Sequence, residues 1–211
     1  MTGSDPGSDA DSTPDADADP DADADDAESW DGSDGAPEWP VGGVTTEYET
    51  PWFDAGYDAV EPPDGRAARY YWVDPADAVS VVAHDADADE VVLVEEYRPR
   101  FRRRFRTCPG GQVEADEEPT AAAERELREE TGFRAGRVEL LGSYHPSVWT
   151  RNTKHVVYAT DLTPGASDPD DGEEITVHRV PVAAAVRETL ADRSVGWAVT
   201  PLLWARETGH L

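Results

Sequence analysis

The fourteen residues from Glu117 to Glu130 carry six glutamates and two arginines, a density of charge that is unusual for a segment that must also pack. Pro119 suits a first helical turn and Gly132 suits the position just past a last one, so the spacing predicts a helix over about Glu118 to Thr131. At 3.6 residues per turn, Ala122, Ala123, Glu126, Leu127 and Glu130 share one side, with Glu129 at its margin and Glu124 and Arg128 opposite. The packing face therefore contains carboxylates. Arg125 has Glu129 four residues on and Glu124 has Arg128, but the helical neighbours of Glu126 are Ala122, Ala123, Glu129 and Glu130. Like charges at that spacing destabilise a helix by about a few tenths of a kcal/mol, and burial raises the cost. A bound cation would neutralise them, and a ligand set made only of oxygen favours Mg²⁺, Ca²⁺ or Mn²⁺ over zinc. On spacing alone, a solvated acidic face in an acidic protein remains open.

The elements that must position this helix are mostly strands. Short β-branched and aromatic runs at Val44–Tyr48, Ala68–Val73, Val79–Ala83 and Val91–Glu95 are separated by Pro, Gly and Asp turns. An arginine cluster at Arg98–Arg106 and the turn Pro109–Gly111 lead into the helix. Strands are expected again at Val138–Leu141, His155–Thr160 and Ile175–Val180, then amphipathic helices at Val182–Ala191 and Thr200–Glu207. This order predicts α/β layering around a mixed sheet, with residues 44–75 as a small N-terminal β region of a domain spanning 44–211. Residues 1–43 are mostly Asp, Ala, Gly, Ser and Pro; with almost nothing to bury, they are expected to form a disordered acidic tail.

The formal charge is −28, of which residues 1–40 contribute 14 acidic side chains and no Lys or Arg, so the remainder still carries −14. Lys154 is the sole lysine among 18 basic residues. Self-repulsion of this size is relieved by salt, which predicts a halophilic protein of a high-salt cytosol. The same charge argues against a nucleic-acid partner, because phosphate neutralisation needs clustered Lys and Arg. Cys108 stands alone, which excludes an intramolecular disulfide and fits a reducing, cytoplasmic location. No run approaches the ~20 apolar residues of a membrane span, and no membrane partner is expected.

From Gly111 the sequence reads Gly, five free positions, Glu117, seven free positions, then Arg125-Glu126-Leu127-Arg128-Glu129-Glu130-Thr131-Gly132-Phe133. This resembles the Nudix box at every specified position, and looser likeness to the ADP-ribose pyrophosphatase branch runs from about Pro51 to Glu207. The resemblance implies a loop-helix-loop on an α/β/α sandwich. It implies Glu126, Glu129 and Glu130 as ligands of Mg²⁺ or Mn²⁺, the Gly110 carbonyl as a further ligand, and Glu117 and Arg125 as their supports. The activity implied is hydrolysis of a nucleoside diphosphate joined to another group, most of all ADP-ribose or a related nucleoside diphosphate sugar, by a homodimer.

Within that resemblance, the late loop carrying Asp171, Glu173 and Glu174 supplies a carboxylate to accept a proton from water, with Glu173 favoured. Glu96-Tyr97-Arg98 looks like the segment that brings an arginine to the substrate phosphates, a contact suited to a bidentate guanidinium. Arg102, Arg103, Arg104 and Arg106 are read as pairing with the acidic surface. Ser143-Tyr144-His145-Pro146-Ser147 resembles the proline-bearing loop of ADP-ribose hydrolases, but Val148 and Trp149 stand where a Gly is expected; Trp149 could stack on a base or belong to the core. Cys108, His145, His155 and His178 have no suitably spaced partners for nucleophilic or metal chemistry. Two other activities compete: hydrolysis of nucleoside triphosphates or dinucleoside polyphosphates at the same metal site, and a non-catalytic nucleotide-sugar sensor, against which the intact set of five charged residues argues.

Overall fold

A computed structural model describes residues 38–168, 174–191 and 195–211. Most of the expected tail lies outside these, as do Asp171 and Glu173. Strand β1 (Val41–Glu49) opens three residues before the expected boundary and pairs with β2 (Phe53–Val60), which pairs with β3 (Ala68–Pro75), all antiparallel. This small sheet is the N-terminal β region, and β1 is exposed along its whole length.

The second sheet has the order β6-β5-β4-β8-β7, with β9 added on β5: β4 is Ala78–Asp85, β5 Glu90–Arg98, β6 Arg103–Thr107, β7 Arg137–Tyr144, β8 Lys154–Thr160 and β9 Thr176–Pro181. β4 and β8 are parallel and the other pairs antiparallel, so the sheet is mixed. β4 is buried from Ala78 to His84, as befits a central strand covered on both faces. Side chains alternate across it. Val79, Val81, Ala83, Val92, Val157 and Ala159 pack under Ala122, Ala123 and Leu127 of α1 (Pro119–Thr131). Val82, Val91, Leu93 and Val156 pack on the other face against α2 (Val182–Ala191) and α3 (Gly196–Glu207), through Ala185, Val186, Leu202 and Ala205. The result is an α/β/α sandwich. Each fully buried Val or Leu in these layers stabilises the fold by roughly 1.5–3 kcal/mol relative to exposure.

Three local departures from the sequence reading have physical causes. β2 and β6 were not expected: β2 lies in a sheet with little buried apolar surface, and β6 is concealed by its arginines, although Phe105 and Thr107 alternate with them and are buried. α3 starts one turn before Thr200; Pro201 sits inside the helix rather than at its first position.

β4 pairs with β5 only over Ala83–Asp85. Along its first half it is bonded instead by the chain after β6: Val81 N–H donates to Pro109 O at 2.8 Å and Val79 N–H to Gly111 O at 2.9 Å. This splay in the sheet inserts the Pro109–Gly111 turn beside α1.

Candidate active site

The Pro109–Gly111 turn and α1 are fitted to each other at two glycines. The Gly110 peptide lies between the two carbonyls taken by β4, and its N–H donates to Glu130 Oε2 at 2.8 Å. Gly110 has φ 151°, and a Cβ there would stand 2.1 Å from Val79 O, so no other residue fits without moving the central strand. A Cβ on Gly111 would meet the Glu126 carboxylate at 2.3 Å; that carboxylate rests against the bare Cα. Glu130 is buried, at 7% exposure, and is anchored by the turn. At the far end, Gly132 adopts the left-handed conformation (φ 76°), and its N–H caps Arg128 O at 2.8 Å.

Arg125 organises the remaining carboxylates. Its Nε and Nη2 donate to the two oxygens of Glu117 at 3.0 and 2.9 Å, a bidentate pair, and Nη2 also donates to the Gln112 carbonyl at 2.8 Å. Nη1 donates to Glu126 Oε1 at 2.7 Å and lies 3.4 Å from Glu129 Oε2. Glu117 is fixed from its other side by the Glu114 N–H at 3.0 Å. The guanidinium holds the Glu117 carboxyl below the usual carboxylate range, and the glutamates raise the Arg125 pKa further. Arg128 donates to Glu129 Oε1 at 2.6 Å.

Glu126 is thus not without a cation, contrary to the expectation from helical spacing. Residues i and i+1 do not normally face each other on a helix; Arg125 reaches Glu126 because Glu117 and the Gln112 carbonyl draw its guanidinium over the loop. The roles of Gln112 and Glu114 left no signal in the sequence, since both contribute backbone groups.

The donor set fits a divalent cation of the hard, oxygen-binding kind. Glu126 and Glu129 already converge on one cationic nitrogen, and Glu126 and Glu130 meet the turn with carboxylates, which are hard oxygen donors. Among the described residues no three His, Cys, Asp or Glu side chains close into a preformed metal cage; the carboxylates are held by arginine and by the Gly110 peptide.

The other expected site residues are distributed as follows. Arg98 ends β5 and is engaged by Glu96 at 2.8 Å. Trp149 is 63% exposed, which removes the core alternative, and its loop is tied to β3 by Val73 N–H donating to Trp149 O at 2.9 Å. Glu173 lies outside the described residues, whereas its neighbour Glu174 pairs with Arg104 at 2.8 Å. Arg106 pairs with Glu95 and Glu188, so these two arginines do serve the acidic surface. Cys108 is buried, and burial pushes its thiol up to about 12; a thiol so disfavoured as thiolate is a core side chain. His155 bonds Ser143 Oγ and His145 the Asn152 carbonyl.

The chain is 32% identical over 111 residues to an ADP-ribose pyrophosphatase of Bacillus subtilis, covering 52% of this chain and 60% of that protein. It is 32% identical over 149 residues to the ADP-ribose pyrophosphatase of Mycobacterium tuberculosis, covering 66% and 60%, and 34% identical over 116 residues to a mouse ADP-sugar pyrophosphatase, covering 50% and 53%. The alignments thus span about half to three fifths of these relatives. A crystal structure of an ADP compounds hydrolase superposes with a TM-score of 0.73 at 23% identity, over 85% of this chain and 100% of that one, a likeness of fold. The NUDIX domain profile matches residues 74–200, which include the turn, α1 and its glutamates, and on that match the chain belongs to the NUDIX domain family.

Proposed function

We propose that this chain is a Mg²⁺- or Mn²⁺-dependent hydrolase of nucleoside diphosphates joined to a second group, with ADP-ribose or a related nucleoside diphosphate sugar as substrate. The observation that carries the reading is the Glu117–Arg125–Glu126–Glu129 network beside Glu130 clamped to Gly110: a costly concentration of charge built around a rigid turn. Glu126, Glu129 and Glu130 hold the cation, joined by the Gly110 carbonyl. A divalent cation bound there supplies charge neutralisation at the diphosphate and makes a water more acidic.

The protein's own groups orient the reaction. Glu117 fixes the Arg125 guanidinium, and Arg125 fixes where the Glu126 and Glu129 carboxylates stand, so little reorganisation is needed as charge develops. Water adds its oxygen to one phosphorus, a carboxylate takes the proton, and the bond from that phosphorus to the bridging oxygen breaks, releasing a nucleoside monophosphate and a sugar phosphate. Glu173 is our choice for the proton acceptor. Arg98 contacts phosphate oxygens, and the exposed Trp149 ring offers a stacking surface for the base.

A panel of ADP-ribose, other nucleoside diphosphate sugars, ATP, GTP and a dinucleoside tetraphosphate, assayed with Mg²⁺ in high salt with products identified by mass, tests this. ADP-ribose should give AMP and ribose 5-phosphate with the highest kcat/KM. Tenfold better turnover of ATP or the dinucleoside tetraphosphate would overturn the substrate assignment, and no metal-dependent turnover of any would indicate a sensor. We also propose a homodimer, supported by the exposed Val44, Tyr48, Tyr70 and Tyr71 of the N-terminal sheet; light scattering that gives a monomer mass would exclude it. From the lone cysteine, which offers no intramolecular disulfide, we propose a reducing, cytoplasmic setting, which subcellular fractionation of the full chain would test.

A further inference from the structure

Lys154 is the chain's sole lysine and opens β8 on the face of the sheet that α3 covers. It is only 4% exposed. Its Nζ lies 3.2 Å from the ring centroid of Trp197, in the first turn of α3, and the Arg98 guanidinium stands over the same ring at 5.9 Å. Among the described residues no carboxylate pairs with Nζ, while Glu96 is engaged by Arg98. Burial first, and then the Arg98 charge, lower the ammonium pKa to about 7. An ammonium kept there works against folding, since a methionine or leucine would fill the space without the desolvation cost.

Three further features lie on the same side. Ser80 pairs in register with Val156, two residues along β8 from Lys154, and its buried Oγ has no hydrogen-bond partner. α3 begins with no side-chain cap, so its positive end adds to the local field. Lys154 also shares a lateral row with Ala78 and Gln112, which places its backbone two strand spacings, about 10 Å, from the turn that meets Glu126 and Glu130.

We propose that Lys154, Arg98 and Trp197 form an anion pocket on the α3 face that receives a phosphate group of the nucleotide substrate. The proposal rests on the nucleotide-hydrolase reading above. Lys154 provides a charge that no carboxylate among the described residues offsets, Arg98 adds a guanidinium shared with Glu96, the indole faces both without a counter-charge of its own, and the buried Ser80 Oγ is a free donor on the same face. The reacting diphosphate would then be held from both faces of the sheet, at the end where β4 and β8 begin.

Binding without metal separates this from catalysis. ADP and adenosine are titrated calorimetrically into the metal-free full chain, as wild type, Lys154→Met and Lys154→Arg, with inorganic phosphate as competitor against ADP. Lys154→Met should weaken ADP at least tenfold and leave adenosine unchanged. Lys154→Arg should recover most of the loss, and phosphate should compete with ADP in wild type and Lys154→Arg but not in Lys154→Met. The Tm of Lys154→Met should equal or exceed that of wild type. Unchanged ADP affinity in a folded Lys154→Met protein, or an equal loss for adenosine, would overturn the pocket; Lys154→Gln repeats the test if the methionine variant does not fold. Failure of the hydrolase reading would appear separately, as a wild type that turns over no member of the substrate panel.

Discussion

At the scale of single residues, Arg125 and the glutamates around it divide the work between structure and chemistry. Glu117 and Glu130 are anchored by backbone N–H groups of Glu114 and Gly110, whereas Glu126 and Glu129 share the Arg125 side chain. Replacing either of the latter by Gln keeps an acceptor oxygen for Arg125 but removes a full negative charge. Glu126→Gln and Glu129→Gln should therefore each lower kcat by about a hundredfold or more at saturating Mg²⁺ while the melting temperature changes little. Steady-state rates and thermal melts check this, and near-normal turnover in both variants would remove the metal assignment. These residues were legible in the sequence because their type and spacing conflict with packing. Lys154 was legible only as a compositional oddity: nothing in the sequence around it shows that β8 buries it beneath Trp197, which follows 43 residues later.

At the scale of elements, α1 was readable almost to the residue, since Pro119 and Gly132 punctuate a sequence whose apolar positions repeat at helical spacing. The central strands were equally plain, being continuous Val-rich runs. The N-terminal sheet and β6 were harder, because an element that is exposed, or that alternates arginine with its few buried positions, lacks the hydrophobic pattern on which the reading depends. The splay of β4 from β5, which admits the Pro109–Gly111 turn, is a tertiary property with no local signature. The glycines at the two ends of this unit should fail differently. At Gly132 a Cβ is strained by φ 76° and would lie 2.6 Å from Gly165 O, a backbone atom, so Gly132→Ala should cost about 1 kcal/mol or more of stability. At Gly111 the obstructing atoms are the Glu126 carboxylate, which can swing away. Gly111→Ala should keep a melting temperature near wild type and lose most of its kcat. Denaturant titrations paired with rate measurements distinguish the two, and equal stability losses would show that Glu126 is not free to yield.

For the whole molecule, the question is how a chain of net charge −28 remains folded. Its arginines are placed to serve two carboxylates at once: Arg179 pairs with Asp85 and Glu90, and Arg106 with Glu95 and Glu188. Such exposed pairs contribute about 0–1 kcal/mol each and are weakened by salt. If they dominated, adding KCl would destabilise the protein. Outside residues 1–40, however, 32 acidic side chains face 18 basic ones, so much of the negative charge has no counter-charge and repels at long range. Raising the salt from about 0.1 M to 1 M shortens the screening length from about 10 Å to 3 Å, which removes long-range repulsion almost entirely while contacts near 3 Å keep part of their attraction. Repulsion should therefore be the larger loss, and the melting temperature should climb steeply with KCl up to about 1 M. The effect must also be separated from the strengthening of hydrophobic burial by excluded solutes. An uncharged osmolyte stabilises through exclusion alone, so KCl should outperform it below 1 M, where screening changes fastest. A melting temperature that is flat or falling over that range would mean that the arginine pairs, rather than the unpaired carboxylates, set the electrostatic balance of this fold.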